Sequence, residues 1–134
     1  MRLLNYGAGE ITDRLTILSL KILHGGAEER TKHFRDERAA LLTKLRGRES
    51  VGGWLDQALM LGAVNGALWQ AEDELRDWRA RWGAASLGES YIASTAREAA
   101  LVAFRIQELN DQRAALLQQI NALTGETAGP EKLT

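Results

Sequence analysis

The chain has 134 residues, 17 basic and 18 acidic, for a formal charge of -1, and it contains no cysteine. That length is in the range of one domain with a usable core. The near-cancelling charges give no global field to attract nucleic acid or an anionic membrane. Without cysteine there are no disulfides, thiolate nucleophiles or thiolate zinc sites, a composition that fits a reducing cytoplasm.

The first residues, Met1-Arg2-Leu3-Leu4-Asn5-Tyr6-Gly7, lack the apolar core of a signal peptide, so a cytoplasmic location is expected, with 1–9 as an N-terminal arm. From Glu10 to His24, Ile11, Leu15, Leu18 and Ile22 recur at helical spacing and predict an amphipathic helix. Gly25-Gly26 interrupts it, because paired glycines are poor in a helix interior. A highly charged helix follows over 27–46, with Ala39, Leu42 and Leu45 as its expected inner side, and 47–53 reads as a turn.

The third helix spans about Trp54 to Trp82, where Leu61, Leu68, Leu75 and Trp82 repeat every seven residues as in a coiled coil. Gly62 and Gly66, four apart, flatten a patch for close approach of another helix. All four tryptophans, at 54, 69, 78 and 82, fall on this segment, where packing explains them better than base stacking does. The apolar run from Ala58 to Trp69 is interrupted by Asn65 and is too short to span a bilayer.

The fourth helix has two possible starts, because Ser86-x-x-Glu89 and Thr95-x-x-Glu98 are both capping-box patterns. The earlier start gives the short connection, whereas the later one brings Arg113 opposite Asn65 and Asn110 opposite Leu68. A start at Ser86 with a bend near Thr95 would serve the same end. The helix is expected to stop near Leu123 with Gly125 as cap, leaving 126–134 as a mobile tail. The whole is predicted to be one all-α domain over 1–134, an antiparallel bundle of three long helices with the first interrupted at Gly25-Gly26.

Polar residues at seam positions are the main functional signal. Asn65 and Glu72 share the seam of Leu61, Leu68 and Leu75, and Arg113 shares that of Ile106, Leu109 and Ile120. Buried charge is costly unless paired, so Asn65, Glu72 and Arg113 are expected to be buried and linked, with Lys21 or Asp13 close by. Glu10, Asp13, Lys21 and His24 form a stripe on the first helix, where the carboxylates complement the helix dipole or supply oxygens for magnesium. Asp73 and Arg76 fit a surface pair, Asn110 a bond across the seam, Asp111 a solvent-facing group, and Asn121 a helix-end group.

Gly9-Glu10-Ile11-Thr12-Asp13-Arg14-Leu15-Thr16-Ile17-Leu18 with Lys21 resembles the opening motif of an uncharacterised bacterial all-helical family, a domain of unknown function. The resemblance continues through Asn65-x-x-Leu68-Trp69-x-x-Glu72-Asp73-x-x-Arg76, Asn110-Asp111-x-Arg113, Ile120-Asn121 and Glu131-Lys132. It departs at Gln107, where the family carries an aromatic. It implies an all-helical fold and carries no activity with it.

Three functions are open on the sequence. The first is an interaction or assembly module forming a homo-oligomer around a buried polar cluster. The second is a metal-dependent enzyme of nucleotide phosphohydrolase type, with Glu10, Asp13, Glu72, Asp73 and Asp111 around Mg2+, although the dense E-E-x-x-E cluster of such enzymes is missing. The third is a metal-free site of chorismate-mutase style, in which Arg113, Lys21, Arg76 and Glu72 hold a small anion. No phosphate-binding glycine loop, nucleophile elbow or nucleic-acid motif is present in the sequence.

Overall fold

A computed structural model describes residues 7–46, 54–84 and 88–125. The fold is all-α, with four helices among the described residues: α1 (Ala8–His24), α2 (Glu28–Leu45), α3 (Leu55–Trp82) and α4 (Glu89–Leu123). The expected turn at 47–53, the capping Ser86 and the tail 126–134 lie outside the described residues.

The break at Gly25-Gly26 is a full reversal. Gly26 takes φ +84°, a left-handed conformation that other residues rarely adopt. The chain then returns along α1, so that Arg14 meets Glu37 and Lys21 lies over the Phe34 ring. α1 and α2 thus form an antiparallel hairpin. Its inner side on α2 is Thr31, Leu41 and Leu45, with Phe34 partly covered. The expected inner residues Ala39 and Leu42 are exposed, because the buried stripe runs one helical position away through Leu41.

α3 and α4 form a second antiparallel pair, and α1 packs on all three other helices. Ile11, Leu15 and Leu18 of α1 meet Leu61 of α3 and Ile120 of α4 in the core, joined by Leu41 and Leu45. Ala8 and Gly9 are buried parts of α1 and not of an arm, because Gly9 sits against the α4 backbone.

α4 reconciles the two expected starts. It begins at Glu89, yet the Trp82 indole Nε1 donates to the Thr95 hydroxyl at 2.8 Å, the register of the later start. The first turns of α4 overshoot the end of α3, and Thr95 lies within the helix, its hydroxyl bonding back to the Tyr91 carbonyl at 2.8 Å. At the other end Gly125, at φ +80°, follows the last helical turn as the expected cap.

Candidate functional site: a polar junction at the start of α1

The first two turns of α1 are enclosed by α3 and α4, and this buries two carboxylates. Glu10 is 8% exposed and Asp13 is 7% exposed. Glu10 folds back to accept the Gly7 N–H at 3.1 Å, which satisfies an N–H left over at the helix start. Its two oxygens also accept from the Asn121 amide nitrogen at 2.9 and 3.1 Å. The Asn121 amide oxygen in turn accepts the Gly9 N–H at 2.7 Å. Asn121 therefore clamps the start of α1 to the end of α4, a larger role than a helix-end group.

Glycine at position 9 is required by this contact. A Cβ built there would stand 2.2 Å from the Leu117 carbonyl oxygen, a backbone atom that cannot step aside.

One turn on, Asp13 accepts Arg113 Nε at 2.9 Å and Nη2 at 2.5 Å, a bidentate fork. Asn65 Nδ2 donates to the same carboxylate at 2.8 Å and to the Thr16 hydroxyl at 2.7 Å. The hydrogen bond that Arg113 donates to Asp13 holds its guanidinium above its ordinary pKa; burial opposes this, and the charges of Asp13 and Glu72 add to it. Asp13 thus joins three helices through one carboxylate, with Asn65 from α3 and Arg113 from α4.

Several expected members stand elsewhere. Glu72 is exposed and makes no ion pair with Arg113, although its charge is felt there. It has seam periodicity, but the helix that covers the seam has ended: His24, the last residue of α1, stacks on Trp69 with ring centroids 5.0 Å apart. Lys21 turns to α2, 5.3 Å from the Phe34 ring centroid, and is not in the junction. Asp73 and Arg76 pair with each other on the surface. Asn110 and Asp111 are exposed, because the α4 seam runs through Leu109 and Arg113.

The oxygens of Glu10 and Asp13 are engaged by N–H donors, and among the described residues no three of Asp, Glu or His gather closely enough to hold a metal ion. What the arrangement does chemically is pair the buried charge of Asp13 with Arg113, hydrogen-bond that of Glu10, and fix the register of three helices. No helix among the described residues is long and apolar enough to cross a membrane.

No protein-family model, curated protein sequence or solved structure matches this chain.

Proposed function

We propose that the protein is a helical assembly module that associates with a second copy of itself, and that its buried polar junction is structural. The observation that carries this reading is an apolar stripe on α3 that the described residues leave uncovered. Leu55, Leu59, Gly62, Ala63 and Gly66 fall within an arc of roughly 100° on the helix. Leu55 is 69% and Leu59 66% exposed, with Met60 half exposed beside them. Among the described residues a Cβ at Gly66 would meet nothing, and one at Gly62 only the edge of Thr16 at 3.7 Å, so no described helix packs into the flattened patch.

A second copy suits this stripe because the stripe bears no charge of its own and the chain is close to neutral. An isologous contact needs only self-complementarity, which an uncharged, glycine-flattened helix face supplies. Covering a leucine contributes about 1.5–3 kcal/mol. Two per copy set against the loss of about 4–15 kcal/mol of rigid-body freedom give a concentration-dependent dimer, not an obligate one.

Light scattering over a dilution series tests this. The wild type is expected to shift from dimer toward monomer on dilution, while Leu59→Glu remains monomeric with unchanged helical content. A strict monomer at every concentration, or an unaffected Leu59→Glu dimer, overturns it.

A further inference from the structure

A groove on the far side of α1, between α1 and α2, has a volume of about 390 Å³ and is lined by Ser19, Ile22, Arg35, Arg38, Ala39 and Leu42. That volume lies within the roughly 300–1,000 Å³ of small-molecule sites. It shares no residue with the polar junction or with the α3 stripe.

The charge in the groove is unbalanced. Arg14 and Arg113, the other partly buried arginines that reach across helices, each hold a carboxylate in a fork. Arg38 holds none among the described residues: its Nε donates to the Ser19 hydroxyl at 3.0 Å, and neither terminal nitrogen makes a protein hydrogen bond. The Ser19 hydroxyl spends its own proton on the Leu15 carbonyl at 2.8 Å, so it fixes the guanidinium without neutralising it. Arg35 lies one turn away on the same face, and like charges at that spacing repel. Arg35 bonds to the Thr31 hydroxyl and the Glu28 carbonyl, with the Glu28 carboxylate at 3.8 Å. Glu28 offsets one of the two cations, which leaves one positive charge at the rim of a groove whose other walls are aliphatic.

From this geometry we infer a binding site for a small amphipathic monoanion, a carboxylate on an aliphatic chain. The two terminal nitrogens of Arg38 present the end-on fork that matches a carboxylate's two oxygens. The single uncompensated charge selects a monoanion over a phosphate dianion. Ile22, Ala39 and Leu42 supply an apolar wall for the chain, which orients the headgroup toward the arginines.

Titration of octanoate into the full chain, followed by calorimetry and by amide chemical shifts, tests the site. Saturable one-to-one binding is expected, with shifts centred on Ser19, Arg38 and Leu42. Arg38→Ala is expected to weaken it at least tenfold, and Arg38→Lys, which keeps the charge but loses the fork, to weaken it less. Ala39→Glu places a carboxylate at the groove from within and is expected to block octanoate while leaving the helical content intact. Octanol and octyl phosphate serve as controls and should both bind more weakly than octanoate. Absence of saturable octanoate binding overturns the site, as does equal affinity in both Arg38→Ala and Ala39→Glu. Octanol binding as tightly as octanoate overturns the anion requirement, and tighter binding of octyl phosphate overturns the choice of a monoanion.

Discussion

Replacing Asp13 by alanine removes the single acceptor shared by Arg113 and Asn65. Asp13 is 7% exposed and accepts three hydrogen bonds, two of them from a guanidinium. Breaking a fully buried pair costs about 3–5 kcal/mol, mostly from the stranded charge. Here the Arg113 side chain is 32% exposed, so water recovers part of that loss. Asn65 also keeps the Thr16 hydroxyl as a partner. Discounting for solvent screening, we expect Asp13→Ala to lose about 2–4 kcal/mol. Urea unfolding of Asp13→Ala, Arg113→Ala and the double variant should give a coupling free energy above about 1 kcal/mol. The apolar pair Asp13→Leu with Arg113→Met should recover much of the loss, because it strands no charge. Glu72→Ala is the control: exposed, it should change stability by less than about 0.5 kcal/mol. A coupling below about 0.5 kcal/mol, or a Glu72→Ala effect as large as that of Asp13→Ala, refutes the assignment of Asp13 as the partner of Arg113.

Other consequences are open to the same instruments. Gly9→Ala should destabilise despite the better helix propensity of alanine, because the clash with the Leu117 carbonyl outweighs a gain of about 1 kcal/mol; a thermal midpoint at or above that of the wild type contradicts this. Gly66→Ala, with open space around its Cβ in the single chain, should raise the thermal midpoint by the propensity gain alone at dilutions where the chain is monomeric; an unchanged or lower midpoint there contradicts this. Glu37 bonds to Arg14, whose hydrogen bond lowers the carboxyl below its ordinary value of 4.5. Its contribution is therefore complete above pH 4.5 and is lost as pH falls through the folded value, so Glu37→Gln should flatten the acid limb of the stability profile. An unchanged acid limb contradicts that linkage.

Helices α1, α3 and α4 are legible because each carries a continuous 3.6-residue stripe, as Ile11, Leu15 and Leu18 do on α1, whereas the inner face of the highly charged α2 is not. The α3–α4 register is legible as one of two alternatives, since the later start of α4 brings Arg113 opposite Asn65 and the earlier one does not. The identity of their common partner is not. Periodicity gives the direction in which a side chain points and is silent on where the covering helix stops. Glu72 therefore looked buried, although α1 ends against Trp69, one turn short of it. Asp13 is expected near the cluster only as an alternative to Lys21, because its partners lie 52 and 100 positions away and spacing along α1 alone does not choose between the two. Asn121 and Gly9 form a contact across 112 positions, for which a glycine early in a helix was the available signal. The Arg35 and Arg38 groove left no sequence signal, because arginines spaced by three on a charged helix are ordinary.

The central claim, association through the α3 stripe, is tested most directly by cross-linking. The chain contains no cysteine, so single-cysteine variants report on one position each. Ala63→Cys, on the stripe, should form a covalent dimer under mild oxidation in proportion to the dimer fraction, while Gln118→Cys, exposed on α4, should not. Cross-linking at Gln118→Cys equal to that at Ala63→Cys, or none at Ala63→Cys at a concentration where light scattering reports a dimer, would contradict the account.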